Sequence, residues 1–185
     1  KETKQLDAWL VHYSTDYVFD GTKSEAYIET DRTNPQSVYG KTKLQGEEAI
    51  KKSKCKHLIF RSSWVYAIRG SNFVKTIMRL AKEQDKLQVV DDQIGAPTSA
   101  ELIADVTTLC LFKITQMKNQ QKLTGIYNLT STGKTSWHKF AQYVIAEAQK
   151  QNEQLKISLD KIEPIKTTAY HSSTPRPANS RLCTQ

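Results

Sequence analysis

Tyr39 and Lys43 form a Tyr-x-x-x-Lys pair in the run Ser37-Val38-Tyr39-Gly40-Lys41-Thr42-Lys43, just after Asn34-Pro35. Four residues is about one helical turn, so on a helix the phenol and the ammonium share a face. A cation beside a tyrosine favours the tyrosinate and pulls its pKa down from about 10, making the phenol a usable acid or base near neutrality. Alone the pair is weak, since most such spacings are a surface helix that happens to carry a tyrosine. Two other clusters strengthen it: Ser14-Thr15-Asp16, directly after a short apolar run, and Ser62-Ser63-Trp64, one residue (Arg61) after another. A hydroxyl, an activated tyrosine and a lysine are a working set for moving a proton to or from a carbinol oxygen. Thr15 holds the oxygen, Tyr39 exchanges the proton, and Lys43 tunes the tyrosine and can hold a ribose. The matching hydride is what a nicotinamide cofactor supplies.

These residues need elements to place them. Residues 9–13 are short and largely apolar, as in a buried parallel strand, and end in the Ser14 cluster. Residues 20–36 read as a loop, and Ser37 as the N-cap of a helix over 38–52. A strand over 57–60 runs into the second hydroxyl cluster. Beyond it the pattern predicts a helix over 72–83 with Phe73, Ile77, Leu80 and Ala81 in one stripe, a strand over 87–90 and a loop over 91–97. A further helix runs from a Thr98 or Ser99 cap to about 117, with Leu102, Ile103, Val106, Leu109 and Cys110 as its apolar positions. A strand over 125–129 and a helix over 137–151, capped by Thr135 or Ser136, follow. Residues 155–162 alternate and suit a strand or a loose loop, and from 163 onward the chain reads as a docked or flexible tail. Strands and helices alternating over short connections predict an α/β fold with a parallel sheet and right-handed crossovers. In such sheets ligands bind outside the carboxyl ends of strands, so Thr15, Tyr39 and Trp64 are expected around one crevice.

The bulk numbers narrow the classes. The 185 residues carry 27 Lys and Arg against 19 Asp and Glu, a net charge of +8 that favours an anionic partner such as a phosphorylated small molecule. The cations are scattered, apart from Lys51, Lys52, Lys54 and Lys56 at the expected end of the first long helix. There they suit the carbonyl terminus, and the scatter argues against nucleic acid as the partner. Cys55, Cys110 and Cys183 are too widely spaced for a disulfide framework or a zinc site, which fits a reducing cytoplasm. No apolar run approaches the roughly 18 residues of a membrane span, and no signal peptide opens the chain, so a soluble intracellular protein is expected.

The motifs also carry a resemblance. Ser14-Thr15-Asp16-Tyr17-Val18-Phe19-Asp20-Gly21 and Tyr39-Gly40-Lys41-Thr42-Lys43-Leu44-Gln45-Gly46-Glu47 resemble the extended short-chain dehydrogenase/reductases. Ser63-Trp64-Val65-Tyr66, Asn72-Phe73-Val74, Val89-Val90-Asp91-Asp92-Gln93-Ile94-Gly95-Ala96-Pro97-Thr98 and Arg176-Pro177-Ala178-Asn179-Ser180-Arg181-Leu182 are similar, more narrowly, to the dTDP-4-dehydrorhamnose reductase family. The resemblance implies a Rossmann-like fold with a small C-terminal substrate-binding subdomain. Residues 1–70 would be the second half of a dinucleotide-binding domain, and 71–185 mostly the substrate-binding part, with some elements returning to the main sheet. It implies Tyr39 as proton donor, Lys43 as its cofactor-contacting partner, and Thr15 at the substrate carbonyl. Thr15, Asp16 and Trp64 would touch the sugar nucleotide, and Tyr13 is a weaker candidate beside Tyr39 and Lys43 for contacting NADPH or NADH. The implied reaction reduces the 4-keto group of dTDP-4-dehydro-L-rhamnose to dTDP-L-rhamnose, a precursor of cell-surface polysaccharide.

Departures from the family pattern matter as well. The family opens on a Gly-x-x-Gly-x-x-Gly turn and a helix that cradle the cofactor pyrophosphate, whereas the seven glycines here stand at 21, 40, 46, 70, 95, 125 and 133. The fold is therefore expected to be incomplete at the N-terminus, the later part of a longer enzyme, and poorly able to hold a nicotinamide alone. Its apolar strand edge would favour self-association, and a homodimer stays open. Ala67 and Ile68 replace an expected glycine-led loop, and Cys183 stands where an acid is expected. Two other readings remain: a non-catalytic regulatory subunit of this fold, and another extended reductase or epimerase acting on a nucleotide sugar. Asn72, Lys75 and Arg176 are candidates for the substrate diphosphate. Asp91, Asp92 and Glu101 suit helix caps better than a metal, and His12 suits a structural role.

Overall fold

The computed structural model describes residues 2–170 and 174–184. In chain order the elements are a helical turn Glu2–Gln5 (α1), strand Trp9–Thr15 (β1), helix Val38–Ser53 (α2), and strands Lys56–Ser62 (β2) and Val65–Tyr66 (β3). Helix Phe73–Glu83 (α3) precedes strands Leu87–Val90 (β4), Ile94–Gly95 (β5) and Thr98–Ser99 (β6), and then helix Ala100–Gln116 (α4). Strands Gly125–Asn128 (β7) and Thr135–Ser136 (β8), helix Trp137–Lys150 (α5) and strand Ile162–Ile165 (β9) complete the order. All four long helices start at a short polar side chain that accepts a backbone N–H: Ser37 from Gly40, Asn72 from Lys75, Ser99 from Leu102 and Ser136 from Lys139. These are the residue types whose oxygen satisfies an otherwise orphaned first-turn donor.

The central sheet is parallel in the order β1-β2-β7, with Thr15 opposite Ser62 and Arg61 opposite Asn128. The apolar run Leu58-Ile59-Phe60 suits β2 to the middle of the sheet, and the strand is buried from His57 to Ser62, while β1 is half-buried. Leu58, Phe60, Ile103, Ile114 and Leu129 form the core between this sheet and α4. A second core lies between α3, α5 and a separate two-stranded parallel sheet, β4 with β9, where Ile77, Ala81, Ala141 and Ile145 meet Val89 and Ile162.

Several open readings are narrowed. Residues 155–162, read as a strand or a loose loop, hold a strand only from Ile162, and the chain beyond 163 is not simply a tail, because Ile162–Ile165 pairs along β4. Pro164 is tolerated there because a two-stranded sheet has an edge for its missing N–H. Among the apolar positions of α4, Leu109 is 66% exposed and Leu102 38% exposed, while Ile103 and Ile114 are buried. The end of the chain is docked: Ala178 O accepts from Ile94 N at 2.8 Å, Asn179 Nδ2 donates to Lys23 O and Glu25 O, and Leu182 bridges Tyr27. At Cys183 the contacts are main-chain ones, its N–H to Tyr27 O and its carbonyl from Asn128 Nδ2, so the identity of that side chain does not decide the docking.

Candidate active site

β1 and β2 end side by side, and their carboxyl ends open on one cleft of about 460 Å³. Thr15 and Asp16 from the end of β1, Tyr39 from α2, Ser62 and Trp64 from the end of β2, and Arg176 from the C-terminal segment all line it. α2 reaches the cleft because Gly40 lets its first turn sit against the turn after β1. A Cβ at Gly40 would stand 2.2 Å from Tyr17 O. That close approach sets Tyr39 edge-on to Tyr17, with ring centroids 5.8 Å apart and planes at 78°. Tyr39 remains 53% exposed, so its hydroxyl is accessible from the cleft mouth.

Thr15 caps the 3₁₀ turn Asp16–Val18. Its Oγ1 accepts from Tyr17 N at 3.2 Å and donates to Asp16 Oδ1 at 2.9 Å. The Asp16 carboxyl is buried, at 3% exposure, and burial pushes its pKa up to about 6 against the hydroxyls of Ser180 and Thr15, which steady the charged form. Ser180 lies near, yet Oδ2 makes no hydrogen bond of normal geometry among the described residues. The Ser62 hydroxyl is likewise buried without a hydrogen bond. Two residues that line the cleft thus each keep a buried polar atom without a partner among the described residues, at a cost of about 1–3 kcal/mol each.

Trp64 stands at φ 48°, a left-handed conformation that for a bulky side chain costs on the order of 1–3 kcal/mol. Packing holds it there. Its indole stacks on Trp137 at 3.5 Å between centroids and 10° between planes, and a Cβ at Gly95 would lie 2.4 Å from its Cε2. The ring therefore forms a fixed wall of the cleft.

Lys43 does not line that cleft. Its ammonium donates to the Tyr13 carbonyl, which leaves two of its three protons for another acceptor. Tyr13 turns away, its hydroxyl 2.9 Å from Thr107 Oγ1 on α4. Asn72 is committed as the α3 cap and through Nδ2 to Ala67 O, and neither it nor Lys75 lines the cleft. Asp91 accepts from Ser136 Oγ and Asp92 from the Thr167 amide and hydroxyl, as caps and turn braces do. His12 is a β1 side chain whose Nε2 is buried without a hydrogen bond among the described residues, and burial lowers its pKa.

A buried ion pair supports the site from behind and carries no periodic signature that would have exposed it. Arg61 donates through Nη2 to Glu47 Oε2 at 2.7 Å and through Nε to Oε1 at 3.0 Å, both side chains almost wholly buried. Ser14 Oγ adds a bond of 2.5 Å to Glu47 Oε1, and Arg61 Nη1 donates to Glu29 O. The pair ties α2 to both strands, β1 and β2, whose ends make the cleft.

A parallel α/β sheet with a hydroxyl, a tyrosine and a lysine around the ends of adjacent strands is the architecture of the extended short-chain dehydrogenase/reductases. Comparison with known proteins narrows this. The RmlD substrate-binding-domain family model matches residues 1–185, and the chain belongs to that family. It is 47% identical over 185 residues to a dTDP-4-dehydrorhamnose reductase of Shigella flexneri and 48% identical to one of Salmonella typhimurium, in each case over the whole chain and 60% of the relative. A crystal structure of a Bacillus anthracis dTDP-4-dehydrorhamnose reductase in complex with NADP superimposes with a TM-score of 0.83 at 34% identity, over 99% of this chain and 59% of that one. The chain thus spans about 60% of the length of the curated relatives it matches.

Proposed function

We propose that this chain carries the substrate-binding and proton-donating part of an NAD(P)H-dependent reductase that converts the 4-keto group of dTDP-4-dehydro-L-rhamnose to the hydroxyl of dTDP-L-rhamnose. The observation that carries the reading is the convergence of Thr15, Tyr39, Trp64 and Arg176 on one cleft, in a chain nearly half identical to reductases of that name. Tyr39 donates the proton to the carbonyl oxygen as it becomes an alcohol. Thr15 and Asp16 meet the same end of the sugar, Trp64 walls its ring, and Arg176 faces the diphosphate as a fixed cation. The residues present fit one end of a nicotinamide cofactor: Tyr39 is open to the cleft mouth, and Lys43 keeps donors free for a ribose. No glycine-rich turn in the chain fits its pyrophosphate. When bound, the cofactor supplies the hydride. A homodimer in the cytoplasm is the assembly and setting that go with this reading.

The test is NADPH oxidation with dTDP-4-dehydro-L-rhamnose, using a polypeptide in which the nucleotide-binding segment of a relative precedes this chain. Turnover is expected, with Tyr39→Phe lowering the rate by about a hundredfold or more. An unchanged rate in Tyr39→Phe removes the proposed acid. Absence of turnover together with tight binding to another protein supports a regulatory subunit instead.

A further inference from the structure

Thr15 has one proton and two lone pairs to share. One lone pair takes the Tyr17 N–H and the proton goes to Asp16 Oδ1. While Asp16 is ionised, Thr15 can therefore show the cleft only an acceptor. An acceptor suits a sugar hydroxyl, which can donate, and does nothing for a ketone, which cannot. A proton on Asp16 reverses this. If it sits on Oδ1 it donates to Thr15 and releases the Thr15 hydroxyl toward the cleft. Oδ2 is buried, so the switch works through Oδ1, the oxygen that meets Thr15. With the proton there the site gains one donor, the Thr15 hydroxyl.

We propose that the Asp16 carboxyl decides whether Thr15 presents a donor or only an acceptor to the cleft, so that the protonated pair recognises a sugar ketone and the ionised pair a sugar alcohol. This deepens the reductase reading and rests on it for the identity of the ligands. Asp16 acts here as a positioning residue, and its proton is not consumed: reduction takes one hydride from the cofactor and one proton from Tyr39. The groups around the Asp16 turn are Tyr17 beside it, Tyr39 from α2, and Arg176 from the C-terminal segment. None is a carboxyl or an imidazole. His12, also on β1, is coupled to Lys43 and Glu47 rather than to this turn. Burial keeps the Asp16 carboxyl protonated to about pH 6, which puts the change within the range a cell experiences.

Two measurements on the 185-residue chain test this. In the ligand-free protein, the Tyr17 amide, which donates to Thr15, is followed by NMR from pH 4.5 to 8. A midpoint near 6 is expected in the wild type, with none in Asp16→Asn. A flat Tyr17 amide, or a midpoint that survives in Asp16→Asn, overturns the proposal. In the second, binding of dTDP-L-rhamnose and of dTDP-4-dehydro-L-rhamnose is compared at pH 5 and pH 7.5. The preference for the ketone over the alcohol is expected to rise roughly three- to tenfold at the lower pH, about the worth of one hydrogen bond. It should be independent of pH in Asp16→Asn. Binding of both sugars with a constant ratio overturns the proposal. Failure of both to bind counts against the reductase reading, while the ligand-free titration still decides the proton switch.

Discussion

Asp16 shows how far a single residue's environment departs from what its letter suggests. A carboxyl in a Ser-Thr-Asp run reads as a cap or turn residue, and Asp16 does follow the cap of a 3₁₀ turn. Yet it is buried, with one oxygen lacking a hydrogen bond among the described residues and its pKa raised to about 6 from an ordinary 3.8. A raised carboxyl pKa means that the folded state binds the proton more tightly than the unfolded one. Stability from this group is therefore fully present below about pH 4 and declines as pH rises through 6. The decline is on the order of 3 kcal/mol. Asp16→Asn removes that slope, so the variant's melting temperature should gain on the wild type between pH 4 and pH 6 and hold a constant difference above. A difference independent of pH, measured by thermal unfolding across this range, would refute the burial argument. Thr15 and Trp64 were legible as candidates because a hydroxyl and an aromatic stand at the ends of short apolar runs, and Tyr39 because it is spaced one helical turn from Lys43. Glu47 and Arg61 were not: a glutamate in a lysine-rich helix looks solvated, and only the fold shows that it meets an arginine across two strands.

At the scale of elements, boundaries were legible where caps and periodicity agreed. The pattern expects α2 over 38–52 and α3 over 72–83, and the helices span Val38–Ser53 and Phe73–Glu83. Direction was less legible. α4 is apolar on most sides, so its period alone could not tell that Ile114 turns inward and Leu109 outward. β9 was hidden by Pro164 and by its brevity, since a four-residue strand has too few alternations to stand out. Gly40 illustrates a conflict between local and tertiary preference. Alanine is favoured over glycine in a helix by about 1 kcal/mol. Here, however, a methyl group would fall 2.2 Å from a backbone carbonyl, which cannot swing aside as a side chain can. Overpacking of that kind costs about 1–3 kcal/mol. Gly40→Ala is thus expected to lower stability by about 1–2 kcal/mol in chemical denaturation, despite the helix preference. A more stable variant would show that α2 can slide away from the Thr15 turn freely.

For the whole molecule, the decisive feature is that the central sheet has three strands, with β1 at one side paired only to β2 among the described residues. β1 is half-buried and Tyr13 is 44% exposed, whereas β2 is buried along nearly its whole length. Hydrogen exchange should divide accordingly. The alternate β1 amides that are not bonded to β2 are expected to exchange at least a hundredfold faster than those of β2, the contrast between an open edge and a central ladder. Uniform protection along β1 would mean that another strand covers the edge, from a second copy of the chain. The same measurement on this chain placed behind the nucleotide-binding segment of a relative would show whether the added segment protects it.

The stack of Trp64 on Trp137 joins these scales, since it runs from the cleft wall to the first residue of α5. Two indoles held nearly parallel at contact distance are also an optical device. Each ring lies in the other's immediate surroundings, so their emission depends on the stack, against which Trp9 is the only other indole in the chain. The protein thus carries a built-in light signal at the border of its cleft, and any ligand that moves Trp64 by a fraction of an ångström will announce itself in that signal without a label.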